Sequence, residues 1–258
     1  MKKIISWNVA SVKARMATLK TLLTQENPDI VFLQEIKTEE EKFPYLELKS
    51  LGYNSIVCGQ KAWNGVAVLS KEPVNFVSSA LNGFSDQARF IDVLLSDDTH
   101  LISVYVPNGQ APAKEPEDTS RLEYKLRWMD ELHKYLSTLD RYIIGGDFNV
   151  IYTDNDVYNS ESFLNSALML PSVKDAFSKI LSLPLENPLR DFHLNEKFYT
   201  FWDFQGGAWH KNNGIFLDYI FLSKPYFSGK VIQADVLKKY RSCEKPSDHA
   251  PVFVEVQF

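Results

Sequence analysis

Apolar residues recur along this chain with two different periods, and the period assigns most of the elements. Alternation at Val252, Val254 and Val256 predicts a strand with one buried face. Compact apolar runs at Lys3–Trp7, Ile30–Leu33 and Tyr142–Ile144 predict buried strands, the last closed by Gly145 and Gly146. Further strands are expected near Tyr53–Cys58, Val66–Leu69, Phe198–Trp202, Ile215–Leu222 and Val231–Val236. Phe90–Leu95 and Leu101–Val106 form a pair around the turn "SDDT". Helical spacing appears at Met16, Leu19, Leu22 and Leu23, stopped by "ENPD", and again between Tyr45 and Leu51, ended by Gly52. The strongest amphipathic helix is Arg121–Leu139, with Leu122, Leu126, Met129, Leu132 and Leu136 on one side. Two more helices are expected between Phe163 and Leu183, and "APAKEPED" reads as a Pro-rich loop.

Strands are many, helices fewer, and the two are mixed without a low-complexity linker or a repeat. That order predicts sheets covered by helices in one domain over residues 1–258. The 45% hydrophobic content is ordinary for a chain that buries a core. No apolar run approaches the roughly 18 residues of a membrane span, and the start "MKKIISWNVA" lacks the apolar centre of a secretory signal. Cys58 and Cys243 show no metal or redox spacing, so free thiols in a reducing, cytoplasmic compartment are expected. The net charge of −5 argues against a general nucleic-acid coat. It leaves room for a metal-dependent nuclease, which gathers carboxylates at its centre.

Polar residues interrupt or end the buried strands. Asn8 ends the first; Gln34 and Glu35 end the second; Tyr105 and Asn108 follow another in "SVYVPNG"; Asp147 and Asn149 follow "YIIGG". Asp218 lies within the apolar "GIFLDYIFLS", and Asp248 and His249 precede the final strand. Taken singly these have plain readings: Asn8 as a helix cap, Glu35 as a solvated strand end, Asp147 as part of a turn. Asp218 resists one, because a carboxylate between apolar neighbours needs a cation, an imidazole or a metal beside it. Strand ends gather at one rim of a sheet, where sites are built. Carboxylates there hold a hard divalent ion, a carboxylate orients or deprotonates water, and a histidine braced by aspartate donates to developing negative oxygens. That is the chemistry of phosphodiester hydrolysis.

The same blocks resemble a known family. "SWNVASVKAR", "PDIVFLQEIK", "GQKAWNGVAVLSK", "YVPNG", "RLEYKLRW", "GGDFNV", "YTFWDF", "LDYIFLS" and "KPSDHAPV" run in order over nearly the whole chain. They are similar to the exonuclease III-type AP endonucleases of the DNase I-like endonuclease/exonuclease/phosphatase superfamily. The resemblance implies an α/β fold, a four-layer αββα sandwich of two mixed sheets flanked by helices. It implies a Mg²⁺- or Mn²⁺-dependent hydrolase that cuts double-stranded DNA 5′ of abasic sites and repairs blocked or recessed 3′ ends. A monomer, nucleoid-associated if bacterial, is implied too. By motif, Glu35 becomes the main metal carboxylate, with Asn8 and Asp248 beside it. Asp147 and Asn149 position water and phosphate, Tyr105 contacts phosphate, and Asp218 pairs with His249. Lys37, Asn108, Phe201, Trp202 and Leu217 become substrate-binding residues, with Phe201 and Trp202 at a small apolar pocket for a sugar lacking its base.

Two departures from the family pattern stand out. Ala10 and Ser11 occupy positions where the family has Asn or Asp followed by Gly. Ile215 and Phe216 stand where it has Trp and Arg. The second departure leads us to expect a pocket stripped of a large aromatic and of an arginine, which shifts the balance among abasic incision, 3′-phosphatase and 3′→5′ exonuclease. Two other readings compete: an inositol-phosphate or sphingolipid phosphodiesterase with the same core, and a silent binding relic. The relic reading has against it that every expected catalytic residue is present.

Overall fold

The computed structural model describes residues 1–111 and 114–258; of the Pro-rich segment, residues 112 and 113 lie outside that description. One six-stranded sheet contains β1 (Lys2–Asn8), β2 (Ile30–Gln34), β3 (Asn54–Cys58), β4 (Val66–Ser70), β11 (Val231–Val236) and β12 (Val252–Val256), in the order β11-β12-β1-β2-β4-β3. The second contains β5 (Asn75–Ser78), β6 (Phe90–Leu94), β7 (His100–Tyr105), β8 (Tyr142–Asp147), β9 (Leu185–Glu186) and β10 (Asp218–Ser223), in the order β5-β6-β7-β8-β10-β9. Each sheet is mixed: β1–β2 and β7–β8 run parallel and the other neighbours antiparallel. No helix among the described residues is long and apolar enough to cross a membrane.

The period-2 alternation of β1 and β2 divides their side chains between two cores. Ile5, Trp7, Val31 and Leu33 pack outward against Leu19, Leu22 and Leu23 of α1 (Met16–Glu26). Ile4, Ile30 and Phe32 face the second sheet. On that sheet's far side, α3 (Ser120–Leu136) and α4 (Pro171–Leu181) contribute Trp128, Met129, Leu132, Val173 and Phe177. The short α2 (Tyr45–Ser50) joins α1 through Leu48. Helix, sheet, sheet, helix is therefore the layer order, and both inner faces are apolar.

Three sequence expectations are corrected. Gly145 and Gly146 do not close the strand; they lie inside β8, where a methyl on Gly145 would sit 2.3 Å from the Phe32 ring and one on Gly146 2.0 Å from the Val104 carbonyl oxygen. Gly145 lets the two sheets approach, and Gly146 lets β8 lie close to β7 within its own sheet. Between Phe163 and Leu183 there is one α-helix, not two: a 3₁₀ turn ends at Phe163, Ser166 Oγ accepts the Leu168 N–H, and Pro171 opens α4. Phe198–Trp202 is not a strand, and β10 begins at Asp218 rather than Ile215; the preceding residues form isolated bridges, Phe201 to both Ile215 and His249. The exposed edge strand β5 and the single-turn helices α5 (Pro188–Asp191), α6 (Ala208–Lys211) and α7 (Lys224–Phe227) carry too little periodicity to be read from sequence.

Gln34 also changes role. It is buried between the sheets, where its Nε2 donates to Ser103 Oγ at 3.1 Å, a tie across the sandwich. Replacing Gly145 by Ala is expected to cost about 1–3 kcal/mol by overpacking, with Phe32→Leu restoring part of the loss; urea unfolding of the two single variants and the double variant checks this.

Candidate active site

Strand register brings the polar ends to one rim. Asn8 lies opposite Gln34 at the ends of parallel β1 and β2, so Glu35 follows beside Asn8. Tyr105 lies opposite Asp147 at the ends of parallel β7 and β8, and Asp147 lies opposite Asp218 at the start of β10. His249 arrives on the loop before β12. Its N–H donates to Ser247 Oγ at 3.2 Å, and its carbonyl accepts the Trp7 indole N–H at 3.2 Å.

Three ionisable groups meet there out of water. His249 Nδ1 is 2.8 Å from Asp218 Oδ2, and its Nε2 is 3.6 Å from Asp147 Oδ2. Burial alone would pull the imidazole pKa down, but the Asp218 and Asp147 carboxylates outweigh it and raise it to about 10. His249 is therefore an imidazolium at neutral pH. Burial raises Asp147, opposed by the His249 charge and raised further by Asp218. The backbone N–H groups of Leu217 and Asp218 donate to Thr200 Oγ1 at 3.0 and 3.2 Å, which fixes the start of β10.

Asn8 links this network to Glu35. Its Nδ2 donates to Glu35 Oε1 at 2.9 Å and to Asp147 Oδ2 at 3.0 Å, while its Oδ1 accepts the Ala10 N–H at 3.2 Å. Asn8 was expected among the metal-holding residues; in this geometry it presents donors to both carboxylates and so bridges them. Burial would raise Glu35, but bonds from Asn8 and from Lys37, whose Nζ is 2.7 Å from Oε2, hold it below the usual carboxylate range. Burial and the charges of Glu35 and Asp147 push the Tyr105 phenol well above its ordinary value, so it remains a donor. Arg89 covers the Tyr105 ring at 4.6 Å. Asn149 places its backbone N–H on Asp147 Oδ1 at 2.9 Å and its Nδ2 on the Val106 carbonyl at 2.9 Å, and Asn108 Nδ2 reaches Asn149 Oδ1 at 3.4 Å. Asp248 is half-buried beside His249, its Oδ1 3.3 Å from Ser247 Oγ.

The donor set suits a hard ion. Glu35 is an ionised carboxylate already carrying a cation, the Lys37 ammonium, and Asp248 adds oxygen. Among the described residues no three carboxylate, imidazole or thiol side chains converge as a ready cage. An ion of the Mg²⁺ type needs none, since it keeps several waters and binds through one or two carboxylates plus substrate phosphate.

Beside His249 the structure packs a small apolar cluster. Phe201 meets the His249 ring edge-on at 5.0 Å, and Ile215 and Leu217 pack beside it with Ile151, Val157 and Met169. Trp202, expected to bind substrate, is fully buried in the main core, its ring against Trp209 and its N–H on Asn212 Oδ1 at 3.1 Å. Phe216 likewise faces that core, under Arg190 at 4.6 Å. Extended chain alternates its sides, so Ile215 and Leu217 reach the site and Phe216 cannot. Of that departure, Ile215 belongs to the cluster against Phe201 and Phe216 to the main core.

Comparison with known proteins gives the chain a family. The model of the Endonuclease/Exonuclease/phosphatase family matches residues 5–249. The chain belongs to that family. It is 28% identical to exodeoxyribonuclease III of Haemophilus influenzae, covering 98% of this chain and 99% of the relative. An AP endonuclease structure from Archaeoglobus fulgidus superposes with a TM-score of 0.93 at 32% identity, over 100% of both chains. A Neisseria 3′ phosphatase bound to product DNA hairpin superposes with a TM-score of 0.91 at 31% identity, again over 100% of both chains. The nucleases of the Endonuclease/Exonuclease/phosphatase family depend on a divalent metal, in keeping with the carboxylates described.

Against this family pattern the Ala10–Ser11 departure has a backbone consequence. Ala10 has φ 46° and Ser11 φ 93°, the left-handed region that glycine occupies without penalty. Arg15 braces the loop, its Nη1 donating to the Ala10 carbonyl at 2.7 Å and its Nη2 to the Pro246 carbonyl at 3.0 Å. Sequence reasoning missed Arg15, Arg89, Thr200 and Lys125; of these, Lys125 alone left a signal, a cation on the buried stripe of α3.

Ser11→Gly is expected to stabilise the protein by about 1 kcal/mol through relief of the left-handed conformation, seen as a higher denaturant midpoint. Asp218→Asn removes a charge that raises His249, so the imidazole pKa falls from about 10 toward its ordinary 6.5. Because a raised histidine stabilises the fold below its unfolded pKa and loses that contribution up to its folded one, wild type loses stability between pH 6.5 and about 10, and Asp218→Asn loses less over that window. Unfolding midpoints across that range, with histidine NMR, test it.

Proposed function

We propose that this protein is a divalent-metal-dependent DNA repair phosphodiesterase that cleaves the backbone 5′ of abasic sites and processes damaged 3′ ends. The observation that carries this reading is the contact of Asp147 with both Asn8 and the His249–Asp218 pair. It sets a carboxylate of raised pKa beside an imidazolium, with Glu35 on the same asparagine.

Asp147 takes the proton of the attacking water. His249, held by Asp218, donates its Nε2–H to a phosphate oxygen as charge builds there, and the un-ionised Tyr105 hydroxyl donates to another. Asn149 keeps Asp147 oriented through its backbone N–H. Glu35 and Asp248 would hold Mg²⁺ or Mn²⁺, which supplies neutralisation of the phosphate charge and of the leaving oxygen when bound. Phe201, Ile215 and Leu217 offer an apolar seat for a sugar without its base, beside His249. An exposed cleft of about 990 Å³ adjoins the site and includes Asn108, Arg89, Arg121, Arg127 and the exposed Trp63. Its arginines supply the local positive charge that an acidic chain needs to bind a phosphate backbone. The protein works as a monomer on duplex DNA, and its two half-buried, unpaired cysteines fit a reducing cytoplasm.

One observation favours a second balance of activities. Ile215, 4% exposed beside Phe201, is smaller than an aromatic side chain, which favours 3′→5′ exonuclease or 3′-phosphatase activity over abasic incision. End-labelled duplexes carrying an abasic-site analogue, a recessed 3′ end or a 3′ phosphate, each with Mg²⁺ and with chelator, decide between them. Chelator-sensitive incision 5′ of the lesion is expected. Shortening or dephosphorylation of 3′ ends without incision establishes the second balance, and no metal-dependent cutting overturns both. Asp147→Asn is expected to lower kcat by roughly 100-fold or more, measured on whichever substrate is cut.

A further inference from the structure

Helix α3 is amphipathic, yet its buried stripe contains a lysine. Lys125 is fully buried among Trp128, Met129 and Leu132, and no carboxylate pairs with it among the described residues. Its three ammonium hydrogens are accounted for by three backbone carbonyls: Asn149 at 2.6 Å, Ala167 at 2.8 Å and Asn108 at 3.2 Å. These carbonyls lie on three separate segments: the loop after β7, the loop after β8, and the turn before α4. Two of them belong to residues placed above at the active site.

Asn149 has φ 51°, so the chain turns through the left-handed region where its carbonyl meets Lys125. A non-glycine residue persists in that region when surrounding contacts hold it there. The Asn149 N–H and side chain meet Asp147, Val106 and Asn108, and Lys125 captures its carbonyl. On the other loop, Gly109 (φ 82°) lies so close that a methyl there would stand 2.8 Å from Lys125 Cδ. Both loops therefore close onto one side chain.

We infer that Lys125 is a positioning residue for phosphodiester cleavage, its ammonium fixing the backbone of Asn149 and Asn108 so that Asn149 holds Asp147 in line for the attacking water. A dedicated cation is well suited to this: one nitrogen with three donors can join three carbonyls that have no donors of their own to offer one another. Burial draws the Lys125 pKa down to about 7, with the charge of Asp147 opposing the shift. The inference rests on the proposed hydrolysis, so wild type is assayed first. A wild type without metal-dependent cleavage overturns the proposed function, and only an active wild type tests Lys125.

The test is a double-variant cycle with single-turnover kinetics on the substrate that wild type cuts. Lys125→Met keeps the stem and removes every donor. Expected is a fall in kcat of roughly 10- to 100-fold, with KM and duplex affinity in chelator within about threefold and an unchanged circular dichroism spectrum. In an Asp147→Asn background the same substitution is expected to lower kcat by less than about threefold, because the carboxylate that Lys125 holds in line through the Asn149 backbone is gone. Full kcat in Lys125→Met overturns the inference, as does an equal loss in both backgrounds. If the Met variant does not fold, Lys125→Gln is read by the same criteria. Failure of both to fold assigns Lys125 to the scaffold and overturns the positioning role.

Discussion

The constraint on which the site depends is that two carboxylates, Asp147 and Asp218, are buried around one imidazolium. At about 4 Å two unit charges interact by roughly 4 kcal/mol at an effective dielectric constant of 20. Removing one partner would leave a buried charge uncompensated, which is among the costliest things a fold can tolerate. The surroundings therefore serve the geometry of this trio. The antiparallel register of β8 and β10 sets Asp147 opposite Asp218. Ser247 ties the histidine loop to the end of β1 by donating to the Asn8 carbonyl at 2.7 Å. Asp218 Oδ1 has no hydrogen-bond partner in its buried position, so the charge–charge contact with His249 carries the stabilisation of that carboxylate.

Around the trio the backbone is strained in a concentrated way. Ala10, Ser11, Glu35, Lys37 and Asn149 all have positive φ without being glycine. Each is held by a bond from a neighbouring segment: Ser11 N–H to the Glu35 carbonyl at 2.7 Å, Lys37 N–H to the Asn64 carbonyl at 3.0 Å, Arg15 Nη1 to the Ala10 carbonyl at 2.7 Å and Lys125 Nζ to the Asn149 carbonyl at 2.6 Å. Left-handed residues at the ends of strands turn the chain sharply, so the carboxylate appears at the rim rather than one residue further along a strand. Such turns survive because loops β1–α1, β2–α2 and β3–β4 hold one another, and the resulting rigidity is the preorganisation that phosphoryl chemistry needs.

Much of this was legible in the chain because the physics was local. Alternation and helical stripes assigned the central strands and α1, and a carboxylate inside an apolar run demanded a partner, which His249 supplies. What escaped depended on neighbours distant in sequence or on parity. Gly145 and Gly146 read as a turn because the reason for them, Phe32 and Val104, lies in distant sequence. Trp202 and Phe216 read as pocket residues because the segments carrying them were known but not which side each residue faced. Lys125 was visible as a polar interruption of a buried stripe, but its three carbonyl partners come from loops whose shape no periodicity describes.

Reaction and specificity are separable in this architecture. The trio, Asn8 and Glu35 lie on strand ends fixed by two hydrogen-bonded sheets, so side chains can vary elsewhere without disturbing them. The pocket wall at Ile215 is bridged to Phe201 and Val157 by single ladder contacts, and Trp63 stands on a turn with positive φ on either side at Ala62 and Asn64. A change there leaves in place the Asp147–His249–Asp218 geometry, which strand register fixes. The wall itself, Phe201, Ile215 and Leu217, is apolar and packs with Ile151, Val157 and Met169, so its shape rests on close packing rather than on charge.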